Sequence, residues 1–175
     1  MLASYQPQGA AETADLERIR ALADGPADPW LRSTALHLTA SALVLHPPDG
    51  QVLLRWHQRQ QAWLQVGGHA DPGETDALAV ALLEAVEETG LADLEPWPDA
   101  GIRHVVIVDV PASATEPAHQ HADIRFGLAT STPEAARAES PDAPVRWLSP
   151  QAARELTAED NLSETLTRVE HLLGR

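Results

Sequence analysis

Residues Gly67 to Leu91 read "GGHADPGETDALAVALLEAVEETGL". A glycine pair and an acidic turn open the stretch. An apolar run from Ala77 to Leu83 follows, and Glu84, Glu87 and Glu88 come just before Gly90. Its length, apolar content and terminal glycine predict a helix over 76–89. On that helix the three glutamates stand at i, i+3 and i+4, so they share one face. Like charges at this spacing destabilise a helix by about a few tenths of a kcal/mol per pair, and a helix C-terminus repels acids as well. Two readings fit: a solvated helix face, or a seat for a hard cation that turns the repulsion into attraction. Mg²⁺ takes oxygen ligands and keeps several waters, which leaves room for phosphate oxygens.

The flanking sequence supplies the rest of the fold. Leu16, Ile19 and Ala23 recur at helical spacing over about 11–23, and "DGPADP" stops that helix. Strands are predicted at 36–46, 51–57, 63–66, 102–110, 119–130 and 145–148, with "PPDG" (47–50) and "RQQ" (59–61) as turns. The prolines of "EPWPDAG" (95–101) predict a loop there, and 111–118 and 131–144 read as further loops. Ser149 and Pro150 make a helix start. Leu162, Leu166, Val169 and Leu173 form the stripe of a last helix. Leu78, Val80, Leu82 and Val86 are expected to anchor the 76–89 helix to the sheet. Strands and helices mix without regular βαβ alternation, which predicts an α/β fold with a mixed sheet covered by helices.

The 175 residues predict one domain, with the N-terminal 30 as a helical extension. Hydrophobic residues make up 43% and charged residues 22%, and the formal net charge is −14. That charge argues against nucleic acid and anionic membranes as partners, since both call for basic surface. The absence of cysteine excludes disulfides, thiolate metal sites and cysteine nucleophiles. "MLASYQPQGA" has neither the basic start nor the apolar core of a signal peptide, and no apolar run approaches the ~20 residues of a membrane span. A cytoplasmic protein is the expectation.

The opening stretch resembles the Nudix box, whose pattern is G-x5-E-x7-R-E-U-x-E-E-x-G-U with U a bulky aliphatic. Gly68 and Glu74 match the first half. Glu84, Glu87, Glu88, Gly90 and Leu91 match the second, with Ala85 at the aliphatic position. "WLQVGGH" before the box and "VRWLSPQAA" near the C-terminus also look like family segments, so the resemblance spans roughly 36–156. There are two departures. One extra residue lies between Glu74 and Glu84, where the Pro72-Gly73 turn can absorb it. Leu83 stands where the family has an arginine that holds the box glutamates; Arg125, Arg55 and Arg59 are candidates to replace it.

The resemblance implies a Nudix-fold α/β/α sandwich and hydrolysis of a diphosphate linked to another group, with Mg²⁺ or Mn²⁺ as cofactor. By position it implies Glu87 and Glu88 as principal metal ligands, Glu84 as a ligand or the group that orients water, and the Gly68 carbonyl as a further ligand. The implied partner is a small-molecule nucleotide or diphosphate, and many family members are homodimers. A nucleotide-binding module with little catalysis is the alternative, which the loss of arginine at Leu83 supports. Isomerisation of a small diphosphate is disfavoured, because the family's isomerases use a cysteine. The sequence does not choose the substrate.

A second constellation lies in "HQHADIR" (119–125). On a strand, His119, His121, Asp123 and Arg125 share one face, and Ala122, Ile124 and Phe126 the other. This polar face is either an exposed sheet surface or a wall of the substrate cleft. In the second case His121, Arg125 and His119 hold phosphate oxygens, Asp123 orients a histidine, and His69 reaches the same cleft. A histidine metal site is disfavoured, because His119 and His121 show no third well-spaced partner. His37, His46, His57, His104 and His171 read as packing or surface residues. Glu139 and Asp142 are candidates for a general base on the 131–144 loop.

Overall fold

The computed structural model describes residues 2–114 and 116–174; Thr115, in the loop expected at 111–118, lies outside them with Met1 and Arg175. A short 3-10 turn, Leu2–Ser4, precedes helix α1, Gly9–Ala23. Strands β1, Leu36–His46, and β2, Gln51–His57, form a hairpin, followed by β3, Ala62–Leu64, and β4, Val66–Gly68. Helix α2, Ala77–Thr89, carries the box carboxylates. Then come β5, Glu95–Pro96, β6, His104–Val110, β7, His119–Ala129, and β8, Val145–Leu148, with a 3-10 turn at Pro133–Ala135. Helices α3, Pro150–Leu156, and α4, Asp160–Leu172, end the chain.

The strands form one mixed sheet with the central order β3-β2-β1-β7-β5. β4 adds to β1, β6 to β7 and β8 to β2. β1 and β7 run parallel, and the other pairings are antiparallel. β1 is buried along nearly its whole length, as a central strand covered on both faces should be. One face of the sheet packs with Leu16 and Ile19 of α1 and Val80, Ala81 and Ala85 of α2. On the other face, Leu43, Leu45, Val52 and Leu54 meet Ala153 of α3 and Leu162, Leu166 and Val169 of α4. Each large apolar side chain buried this way contributes about 1.5–3 kcal/mol. The result is the expected α/β fold, a mixed sheet between two helical layers.

Three local expectations change. The stretch expected as one strand at 63–66 breaks at Gln65: β3 pairs with β2, and β4 turns onto β1. Glu95–Pro96 is not wholly loop; it pairs with Leu128–Ala129 at the sheet margin, where a proline without an N–H leaves no ladder bond unmade. Val86 does not anchor α2, being 39% exposed. α2 is held instead by Val80, Ala81 and Ala85, with Leu78 and Leu82 packed at the margin.

α1 is tied on by charge as well as by apolar contact. The N–H groups of Val105 and Ile107 point off the free edge of β6. They donate to Glu12 Oε1 at 3.1 Å and Asp15 Oδ2 at 2.9 Å, so helix carboxylates satisfy an edge that would otherwise be open. Glu12 also receives both terminal nitrogens of Arg168 from α4, at 2.9 and 3.0 Å. No described helix is long and apolar enough to cross a membrane.

Candidate functional site

Asp76 caps α2 by accepting the N–H of Leu78 at 2.9 Å. Glu74 turns back on the same end and accepts the N–H groups of Thr75 and Asp76 at 2.9 and 3.0 Å. Glu74 therefore closes the turn that absorbs the extra residue of the box. At the far end Gly90 takes φ +68°, a left-handed cap that only glycine enters freely.

Glu84, Glu87 and Glu88 occupy the last turns of α2. Glu88 is 8% exposed. Its Oε2 accepts the Gly67 N–H at 3.1 Å, and its Oε1 meets Arg55 Nη1 at 2.8 Å. Arg55 Nη2 reaches Glu139 Oε2 at 2.9 Å. Of the three arginines considered as replacements at the box, Arg55 is the one in place. It arrives from β2 rather than from the helix, and it draws Glu139 to the box. Gly68 lies so close to the Glu84 carboxylate that a Cβ there would collide with it.

Burial pushes the Glu88 acid up to about 7, against the downward pull of Arg55 and the Gly67 N–H. Burial, then the charges of Glu87 and Asp71, raise that of Glu84. One arginine does not offset the burial and mutual repulsion of these carboxylates. Carboxylate oxygens are the donors that a hard divalent cation of the Mg²⁺ or Mn²⁺ kind prefers, and Glu84, Glu87 and Glu88 share this end of α2 without converging on one point in the structure.

The parallel register of β1 and β7 builds the second cluster. It sets His37 beside His121, Thr39 beside Asp123 and Ser41 beside Arg125. Asp123 accepts from Thr39 Oγ1 at 3.0 Å, Ser41 Oγ at 2.8 Å and Arg125 Nε at 2.8 Å. It is thus committed to these donors and does not orient a histidine. Arg125 is 3% exposed and uses its other nitrogens on Asn161 and Thr165 of α4. The pair anchors α4 and floors a cleft of ≈ 180 Å³ whose walls include Gly67, Gly68, His69 and His121.

Four imidazoles gather beside this cleft, and two of them, His69 and His121, line it. Nε2 of His37 lies 3.1 Å from Nε2 of His69, and Nε2 of His119 lies 3.1 Å from Nε2 of His121. Burial, followed by the charge of His121, lowers the His69 pKa to about 3; burial and His37 lower that of His121 to about 4. Both are neutral imidazoles at pH 7. His37, read from sequence as a packing residue, is the member that sequence reasoning missed. The alternation of His37, Thr39 and Ser41 along β1 was the available signal, but only the pairing with β7 gives it meaning. Asp142, the other general-base candidate, is exposed on its loop.

The NUDIX domain family model matches residues 35–169. Three solved structures are similar in fold. The Caenorhabditis elegans Ap4A hydrolase binary complex has a TM-score of 0.62 at 17% identity, covering 78% of this chain and 97% of that one. The Escherichia coli dihydroneopterin triphosphate pyrophosphohydrolase gives 0.56 at 17% identity, over 75% and 92%. RenU, a Nudix hydrolase of Mycobacterium smegmatis, gives 0.54 at 22% identity, over 79% and 86%. No curated protein matches the sequence.

Proposed function

Since the chain belongs to the Nudix family, we propose that it hydrolyses a phosphoanhydride bond in a nucleoside diphosphate linked to another group, or in a nucleotide, with Mg²⁺ or Mn²⁺ held by Glu84, Glu87, Glu88 and the Gly68 carbonyl. When bound, the cation neutralises charge on the diphosphate and lowers the pKa of a coordinated water. The observation that carries this reading is the network from Gly67 through Glu88 and Arg55 to Glu139. It fixes a buried carboxylate at the helix end while leaving the group short of positive charge.

Each side chain then has a role. Glu87, exposed beside Glu88, and Glu88 are the principal ligands, and Glu84 is a ligand or orients water. Arg55 positions Glu88 and Glu139, the function that an arginine at Leu83 would otherwise supply. Glu139, half-exposed and held within reach of the box, is the general base that takes the water proton. His69 and His121 line the substrate side of the cleft, His119 stands next to His121, and Arg125 braces the floor beneath. The protein acts on small molecules in the cytoplasm. The likeness in fold to an Ap4A hydrolase and a dihydroneopterin triphosphate pyrophosphohydrolase supports a nucleotide-like substrate.

A nucleotide-binding module without turnover is the second reading, and Leu83 favours it. The arginine supplied by β2 weighs against it. A panel of nucleotides and nucleoside diphosphate derivatives, read as phosphate or pyrophosphate release with Mg²⁺ or Mn²⁺, separates the two. Hydrolysis that stops with EDTA is expected. Tight nucleotide binding with no release on any substrate would select the binding module.

A further inference from the structure

Among the described residues, one group of three metal-ligating side chains converges: the ligand atoms of His37, His69 and His121 all lie within 4.8 Å of one another. His119 flanks them, its Nε2 3.1 Å from His121 Nε2, without being one of the converging group. We propose that His37, His69 and His121 are the protein ligands of a tetrahedral site for a borderline transition metal of the zinc class, with its fourth position open to water, separate from the carboxylates of α2.

Three observations carry it. The first is spacing. Imidazoles placed tetrahedrally around an ion at about 2.0–2.1 Å have neighbouring nitrogens about 3.3 Å apart and ring centres about 5 Å apart. Here His37 Nε2 and His69 Nε2 stand at 3.1 Å, and the three ring-centre separations among His37, His69 and His121 run from 4.8 to 5.1 Å. The second is tautomer. His37 Nδ1 faces the Thr34 carbonyl at 3.0 Å. A carbonyl only accepts, so Nδ1 carries the proton and Nε2 turns a lone pair inward. That is the arrangement by which a backbone carbonyl orients a metal-ligating histidine. The third is origin. The ligands come from β1, β7 and the residue after β4, three segments that the sheet already holds rigid. An all-nitrogen set selects against Mg²⁺, which prefers oxygen, and in favour of Zn²⁺ or Co²⁺. The ion would sit in the wall of the cleft, since His69 and His121 both line it, and would pin the start of the box loop to the sheet.

Co²⁺ is the probe. The full-length protein, stripped with a chelator, is titrated with Co²⁺ alone and its visible absorption recorded, with circular dichroism as the check on folding. The expected result is one equivalent bound with the intense bands of tetrahedral Co²⁺, displaced by Zn²⁺ and not by excess Mg²⁺, apart from any Co²⁺ held with weak octahedral bands at the carboxylates. His69→Gln and His121→Gln, each at a half-buried position, should lower the affinity about a hundredfold or more, beyond what an outer-shell change costs, while Glu87→Gln keeps the bands. If one histidine variant fails to fold, the other gives the reading. Only weak octahedral bands in the wild type, intense bands that vanish in Glu87→Gln, or a folded histidine variant with the intense bands of the wild type would overturn the site. None of these outcomes depends on hydrolysis, so the site stands or falls apart from the catalytic reading.

Discussion

Glu12 and Glu88 are both buried glutamates, 4% and 8% exposed, and each faces an arginine, yet their acids move in opposite directions. Burial alone would raise both. At Glu12 the Arg168 guanidinium, the Tyr5 hydroxyl and the N–H groups of Gln8 and Val105 outweigh burial and hold the pKa near 2. At Glu88 a single arginine, shared with Glu139, and one N–H do not, and the nearby charges of Glu84 and Glu139 push it further up, to about 7. The first carboxylate is satisfied, and its region is a joint between α1, β6 and α4. The second lacks compensation, and its region can gain free energy by taking up a cation. A buried carboxylate with too few donors marks a binding site better than burial does.

The sharpest way to break this contrast is to neutralise each side. Glu87→Gln or Glu88→Gln should lower turnover by orders of magnitude, more than the about 10–100-fold that losing a supporting partner costs, with the fold kept. For Glu88 the sign is specific. Its folded pKa lies above the ordinary 4.5, so the metal-free folded state holds the extra proton between about pH 4.5 and 7 and loses stability as pH rises through that window. Glu88→Gln should therefore flatten the fall in metal-free stability between about pH 4.5 and 7, whatever the loss of the Arg55 pair costs overall. Steady-state kinetics and thermal denaturation check the two halves. Wild-type turnover in either glutamine variant would sink the platform.

Glu12→Gln should do the reverse. Removing one partner of a buried pair costs about 3–5 kcal/mol, read by denaturant unfolding. The folded pKa of Glu12 lies below its ordinary value. Its stabilisation is thus complete above about pH 4.5 and lost as pH falls towards 2, and the acid limb of the wild-type stability curve should flatten in the variant. An unchanged acid limb would mean that the joint is not held by this pair.

Arg55→Gln tests the middle of the contrast. It should cost turnover about 10–100-fold and raise the Glu88 acid further, which a shifted acidic limb in the pH–rate profile would reveal. Leu83→Arg should have the smallest effect. Leu83 is 43% exposed, so stability should stay within about 0.5 kcal/mol, and the rate should not rise because Arg55 already fills the role. A clear gain in rate would show that Arg55 does not replace the family arginine.

What was legible in the sequence follows from what is local. β1, β2 and β8 lie where alternation and turn residues put them, and the one-face spacing of Glu84, Glu87 and Glu88 needs only the helix period. Arg55 was one of three candidates, because nothing local says which arginine crosses the sheet to a helix end. His37 was set aside, and the ties of Asp123 to Thr39 and Ser41 and of Arg125 to α4 went unseen, for a shared reason. The meaning of a strand residue depends on its neighbour in the sheet, and a parallel neighbour is joined through a long connection rather than a turn. The Glu12–Arg168 pair spans even more of the chain, 156 positions.

The parallel pairing of β1 with β7 also bears on how the protein reaches its folded state. Thr39 and Asp123 stand 84 positions apart, and the box helix and the hairpin lie between them. Contacts of this reach slow folding, because the intervening loop must close before they form. The hairpin and α2 can organise locally, but the Asp123 hydrogen bonds and the histidine cluster cannot exist until β7 docks in register. A shift by one residue would turn the whole polar column to the opposite face. Partly folded chains would therefore carry the acidic helix without its cleft, and native histidine geometry would report arrival at the final topology rather than collapse.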